Sequence, residues 1–148
     1  MQFYCISDVH SHYYALKRAL AAAGFNKDDP NHWLICCGDA FDRGDESEEV
    51  LHYLLSLERR ILIRGNHDTL LEECCRREFP YSYDVSNRTV KTINAIGGAG
   101  EGYCFDECCR NTLNRTAAYR SSLINYFETK HYIFVHSWIP LTMTSLEQ

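Results

Sequence analysis

"WLICCGDAFDRGDESEE" (residues 33–49) passes from an unbroken apolar run to a dense group of charges within a few positions. Its first five residues have the length and branched or aromatic content of a strand buried on both faces. The segment Gly38 to Gly44 then places Asp39, Asp42 and Arg43 between two glycines. A solvated turn accounts for any one of these residues, because aspartate and glycine are ordinary turn formers. Two carboxylates and a guanidinium directly after a buried strand also suit half of a binding site.

The same transition recurs along the chain. "FYCIS" (3–7), "ILIR" (61–64) and "YIFVH" (132–136) are further short apolar runs of strand character. Helical patterns separate the first three. In "SHYYALKRALAAAGF" (11–25), Tyr13, Leu16, Leu20 and Ala23 share one face and Gly24 is placed to end the helix. "ESEEVLHYLLSLERR" (46–60) carries acids in its first turn and Arg59 and Arg60 in its last, as the helix dipole favours. "DTLLEECCRREF" (68–79) follows, with Asp68 as N-cap. Alternating strands and helices imply right-handed crossovers and an α/β fold with mostly parallel strands. Residues 80–112, with "FPYSYDVSNRT" and "AIGGAGEG", read as an irregular insertion, and "RTAAYRSSLINYFE" (115–128) as one more helix.

Composition narrows the function classes. A chain of 148 residues with 45% apolar and 24% charged residues is expected to form one domain over 1–148. The net charge of −5 offers no basic surface for nucleic acid or an anionic membrane, so neither is an expected partner. No apolar stretch approaches the roughly 20 residues of a membrane span, and "MQFYCISD" is no leader, so a cytoplasmic protein is the expectation. The eight cysteines include three adjacent pairs and no C-x-x-C spacing. Cys5, Cys36 and Cys37 read as small strand hydrophobes. Cys74, Cys75, Cys104, Cys108 and Cys109 read as free thiols rather than zinc ligands.

Every apolar run ends in residues of ligand type. The clusters are Asp8 and His10; Asp39, Asp42 and Arg43; Arg64, Asn66, His67 and Asp68; and finally His136. Ligands of an open parallel sheet bind beyond the carboxyl ends of its strands, so these four clusters can converge on one crevice.

The pattern D-x-H (Asp8–His10), G-D-x-x-D-R-G (Gly38–Gly44), G-N-H-D (Gly65–Asp68) and a strand-ending His136 resembles the calcineurin-like metallophosphoesterases. The likeness is to the branch holding serine/threonine phosphatases and small bacterial and phage phosphatases. It covers essentially the whole chain and is strongest over residues 3–75. It implies the N-terminal portion of an α-β-β-α sandwich and two divalent ions, with manganese expected and iron or zinc as alternatives. Mixed carboxylate, imidazole and amide donors suit such ions, and two of them can clamp a phosphoryl group and activate water. Asp8 and His10 would hold the first ion, Asn66 and His136 the second, and Asp39 both. The resemblance further implies that His67 protonates the leaving group with Asp42 orienting its ring, and that Arg43 and Arg64 bind phosphate oxygens.

These assignments imply hydrolysis of phosphate monoesters, on a phosphoprotein or a small molecule. Hydrolysis of diadenosine polyphosphates or phosphodiesters is the alternative enzyme reading, and a catalytically dead binding module the alternative outside catalysis. His12 lengthens the apparent ligand run at a position where the resemblance calls for no metal, and His32, His52 and His131 read as surface or edge residues. The tyrosines of "FPYSY" suit packing or a substrate groove. Ser11 stands where the family usually has glycine, which is expected to tighten the backbone, and G-N-H-D replaces the more frequent G-N-H-E. The segment after His136, "SWIPLTMTSLEQ", lacks the further G-H histidine the family supplies. The second ion is then expected to lack a ligand and the second sheet to be largely missing. The apolar faces of residues 132–136 and 116–127 would lose their cover, favouring self-association.

Overall fold

The computed structural model describes residues 1–100, 102 and 104–137. Four strands form one parallel sheet in the order β1 (Gln2–Ile6), β2 (His32–Cys37), β3 (Arg60–Ile63) and β4 (Leu123–Ile124). Because the strands run the same way, the segments starting at Ser7, Gly38 and Arg64 all leave from one edge of the sheet. The expected α/β fold is present, and that edge carries the ligand-type residues.

Alternation along the strands divides the core into two. Leu34, Cys36 and Leu62 face the helices, while Ile35, Cys37 and Ile63 face the other way. Helix α1 (Tyr13–Ala22) buries Leu16 and Leu20 and stops before Gly24, whose φ of +82° a side chain would resist. Helix α2 (Ser47–Ser56) buries Val50, Leu51, Tyr53 and Leu54, the spacing of one helical face. It ends earlier than the charge pattern predicts. Arg59 and Arg60 lie beyond it, and the Arg60 guanidinium donates to the carbonyl of Leu55 at 3.2 Å and to that of Leu57. Arg60 thus satisfies carbonyls at the helix end from the first position of the next strand. Helix α3 (Asn66–Arg77) begins three residues before the expected start, so Asp68 lies inside its first turn and Gly65 is the cap.

The stretch 80–112 is not an irregular insertion. It contains α4 (Ser82–Ser86), α5 (Thr89–Gly97) and α6 (Phe105–Arg115), and Ile93, Ile96 and Cys109 are fully buried. Its threonines and glycines read as turn formers, but they serve close helix packing. A side chain on Gly97 would meet the Cys108 backbone, with Cα at 2.8 Å, and the Thr112 hydroxyl donates to the Ile93 carbonyl at 3.1 Å.

The expected helix over 115–128 is likewise replaced. After α7 (Ala117–Ser121) the chain turns, and Leu123 and Ile124 occupy the free edge of β3. β5 (Tyr126–Glu128) and β6 (Ile133–Val135) then form a separate antiparallel pair, so the "YIFVH" run does not join the parallel sheet. Phe127 and Phe134 of this hairpin pack against Ile35, Cys37 and Ile63, covering part of the second face. Ile124, Tyr132 and Ile133 remain exposed. The segment 138–148, to which the expectation of a missing ligand and sheet belongs, lies outside the described residues.

Candidate metal centre

The loops at the sheet edge are held in an uncommon backbone form. Asp8, His10, Ser11, Asp39, Asp42 and Arg43 have φ between +48° and +70°. Such left-handed positions cost roughly 1–2 kcal/mol for a residue with a Cβ. Asp and His tolerate them better than branched residues. A backbone ladder sustains them: His10 N donates to Asp39 O (3.0 Å), Ser11 N to Ala40 O (2.9 Å) and Gly44 N to His10 O (2.9 Å). Ser11, at the family's glycine position, is fully buried with its hydroxyl 2.8 Å from that of Ser47. The motif glycines mark close approaches. A side chain at Gly65 would strike the Asp39 carboxylate, and one at Gly38 would stand 2.6 Å from His136 Nδ1 and 2.7 Å from Gly65 Cα.

Asp39 is the centre of the arrangement, and its two carboxylate oxygens face different histidines. Oδ2 lies 3.9 Å from His10 Nε2 and 4.0 Å from His67 Nε2, whereas Oδ1 lies 3.4 Å from His136 Nε2. Asp8 Oδ1 is 3.8 Å from His10 Nε2, and Asn66 Oδ1 is 2.9 Å from His136 Nε2. Donors held at about 2.0–2.6 Å from one ion stand about 3–4 Å apart, so both sets have suitable spacing. Among the described residues, His10, Asp39 and His67 have ligand atoms within 4.8 Å of one another.

The ring nitrogens test whether a cation fits. His10 Nδ1 is 2.9 Å from the Phe41 carbonyl, which makes it the protonated nitrogen. Its Nε2 is buried with no hydrogen-bond partner among the described residues, a costly state unless something else takes the lone pair. His136 Nδ1 is 2.7 Å from the Cys37 carbonyl, while Nε2 faces Asn66 and Asp39 oxygens. A neutral imidazole has one proton and cannot donate at both nitrogens. A divalent ion among Nε2, Asn66 Oδ1 and Asp39 Oδ1 resolves that conflict, and backbone-anchored Nδ1–H groups are the usual support for a metal-binding Nε2. The residues fit two ions.

A second carboxylate steadies this centre from behind. Asp68 Oδ2 accepts from the backbone N–H of Gly65 (2.8 Å) and of Asp39 (3.3 Å), and Oδ1 accepts the Tyr119 hydroxyl (2.8 Å). Burial pushes the Asp68 carboxyl up, against the Gly65 N–H and the Tyr119 hydroxyl, which hold it down. Burial and the neighbouring Asp68 raise Tyr119 well above its ordinary value, so it stays a donor. Tyr119→Phe keeps the ring against Phe41 (5.1 Å) but removes this donor. A hydrogen bond to a charged group is worth about 1.5–3 kcal/mol. Urea unfolding of Tyr119→Phe should show a loss of that size, and a loss below about 0.5 kcal/mol contradicts the buttressing role.

The other predicted residues divide into two groups. Asp42 is fully buried, and its Oδ2 lies 2.8 Å from His67 Nδ1 and accepts the Thr89 hydroxyl at 2.7 Å. That leaves His67 Nε2 to face Asp39 and the exposed Arg43, whose Nη2 is 3.3 Å away. Arg64 is directed instead to Glu72 at 3.4 Å, where Arg76 and Arg120 also converge. His12, His52 and His131 are exposed, and His32 is half-buried beside the Tyr4 hydroxyl. All eight cysteines are free thiols. Tyr81 and Tyr83 are exposed and lie beside the Arg77 guanidinium. Sequence reasoning missed Thr89, Thr92 and Tyr119; Thr92 accepts the Asp42 N–H at 3.2 Å. No local signal marks these three, because they reach the site only through helix packing.

The sequence pattern of the family described as calcineurin-like phosphoesterase matches residues 1–146. The chain belongs to the calcineurin-like phosphoesterase family. A symmetrical bis(5'-nucleosyl)-tetraphosphatase of Buchnera aphidicola (Schizaphis graminum) is 44% identical over 69 residues, 46% of this chain and 24% of that protein. The enzyme of the same name from Pseudomonas syringae is 34% identical over 79 residues, 53% of this chain and 26% of that protein. The chain thus spans about a quarter of the length of the curated relatives it matches. A solved metallophosphoesterase from Sphaerobacter thermophilus shares the fold with a TM-score of 0.51 and 21% identity, over 90% of this chain and 45% of that one. Among the described residues no helix is long and apolar enough to cross a membrane.

Proposed function

We propose that this calcineurin-like chain hydrolyses phosphate monoesters, with Asp8, His10 and Asp39 holding one divalent ion and Asp39, Asn66 and His136 a second. The observation that carries the reading is the Asp39 carboxylate, whose two oxygens face two separate histidines. Bound there, the ions supply polarisation of a phosphoryl oxygen and an activated water. Arg43 is exposed beside His67 and can bind phosphate oxygens through its planar fork. Arg64 would have to leave Glu72 to do the same. His67 donates a proton from Nε2 to the leaving oxygen, and Asp42 holds the ring by Nδ1.

A second reading, cleavage of a bis(5'-nucleosyl) tetraphosphate, takes support from the names of the relatives. The buried Asp42–His67 pair favours the monoester. A nucleoside phosphate leaves readily without a proton, whereas an alkoxide needs one. Comparing turnover of phosphoserine with that of a dinucleoside tetraphosphate decides between the two readings; preference for the tetraphosphate would reverse the order.

The metal assignment has its own test. The first set brings two carboxylates and the second only the shared Asp39 with a neutral amide, so manganese is expected at unequal sites. Titration with Mn(II) should resolve a tighter and a weaker ion, and His10→Ala should weaken the tighter. Two equal sites would contradict the assignment.

A further inference from the structure

Cys5 and Cys37 stand on the face of the sheet away from the helices. Cys5 pairs with Ile35 in the parallel register, which places Cys37 two positions further along β2 and on the same side. Their sulfurs are 3.5 Å apart. Cys5 is exposed and Cys37 is buried. Neither thiol takes part in the hydrolysis described above, yet Cys37 is tied to it: its carbonyl accepts the His136 Nδ1–H at 2.7 Å, and the next residue, Gly38, is pressed against His136 and Gly65.

We infer that Cys5 and Cys37 form an oxidisable thiol pair, closed to a disulfide by a peroxide, whose closure loosens the His136 side of the metal centre. Cys37 is buried and Cys5 exposed, so Cys5 is the sulfur that a peroxide meets first. Its thiolate attacks one peroxide oxygen, the O–O bond breaks, and a sulfenic acid and one water result after proton transfer. The Cys37 sulfur then attacks the sulfenic sulfur, the S–O bond breaks, and the oxygen leaves as a second water with the thiol proton. In total two thiols lose two electrons and two protons, and one hydrogen peroxide is reduced to two waters.

The coupling follows from distance. Cys37 is offset by two positions from the ladder partner of Cys5. Such diagonal neighbours lie about 7–8 Å apart, beyond the roughly 7 Å a disulfide spans unaided, so closure draws β1 and the end of β2 together. Gly38 has no slack to absorb that shift, since even a methyl group there would collide with His136 and Gly65. The shift therefore reaches the Cys37 carbonyl and the imidazole it orients. Partners that orient a metal-binding histidine are worth about 10–100-fold in metal affinity.

The test uses the full 148-residue chain with hydrogen peroxide as oxidant. Intact mass should fall by two hydrogens, non-reducing peptide mapping should locate a Cys5–Cys37 link, and dithiothreitol should restore both thiols. The weaker Mn(II) site should lose about tenfold in affinity on oxidation, and Cys5→Ser should keep its affinity with or without peroxide. Accumulation of sulfinic acid on Cys5 without a link, or a link to Cys36, would overturn the pair. A Cys5–Cys37 link with unchanged Mn(II) affinity would overturn the coupling. The effect on the metal rests on the metal-centre reading, so absence of Mn(II) binding before oxidation would count against that reading, while the mass measurement still judges the thiol pair.

Discussion

His67→Asn is expected to lower turnover of phosphoserine by about 10²–10⁴-fold, the usual worth of general acid catalysis, while affecting p-nitrophenyl phosphate far less. The difference comes from the leaving group. A serine alkoxide is too basic to depart without a proton, whereas a nitrophenolate is stable without one. The geometry makes the comparison clean: His67 is nearly fully buried, its Nδ1 is clasped by Asp42, and only Nε2 faces the crevice. Asparagine retains an N–H toward Asp42 but offers no acid. Asp42→Asn should show the same bias toward the activated substrate in milder form, because it misorients the ring without removing it. Equal losses on both substrates together with reduced bound manganese would mean that His67 is a metal ligand. That alternative has a real structural basis, since its Nε2 lies 4.0 Å from the Asp39 oxygen that also faces His10.

Asp39→Asn should depress both substrates alike, by at least the roughly 10²–10³-fold typical of losing one element of transition-state charge stabilisation. The substitution is well suited to isolate charge. Asparagine accepts the left-handed φ of +55° about as readily as aspartate. Its Oδ1 can still accept the His67 N–H, now 2.9 Å from Asp39 Oδ1. What disappears is the negative charge shared between the two histidine sets. Bound manganese measured by equilibrium dialysis should therefore fall at both sites, with the urea midpoint of the metal-free chain little changed. Retained binding of both ions, or a loss confined to phosphoserine, would remove Asp39 from the centre of the site.

The site was legible in the sequence because its residues sit next to strand ends. A buried strand is recognisable over five or six residues, and in a parallel sheet its carboxyl end has only one edge to leave from. Asp8, His10, Asp39, Asn66 and His67 could thus be grouped before any contact was known. His136 is the instructive exception. Its strand was expected in the parallel sheet, and instead it closes an antiparallel hairpin, yet the ring still arrives 3.4 Å from Asp39. The strand character of residues 133–135 was readable, but its partner was not.

Residues 80–128 show the opposite case. Gly97, Thr89, Thr92 and Thr112 resemble a loop by composition because small and hydroxyl-bearing residues favour turns in isolation. In the folded chain they let α5 and α6 approach closely and fasten Asp42, and that environment comes from residues far away in sequence. Leu123 and Ile124 similarly read as part of a helix until the unpaired edge of β3 is there to receive them.

By itself, then, the sequence determined the strand–helix alternation, the parallel sheet and the chemical type of each strand-end cluster, all of which depend on short windows of side-chain pattern. Tertiary structure decided which helices replaced the apparent insertion, where the last strands paired, that Tyr119 braces Asp68 and Thr89 braces Asp42, and that Cys5 meets Cys37. Those outcomes depend on which buried surfaces and hydrogen-bonding groups distant segments leave unsatisfied, and no local window contains that information.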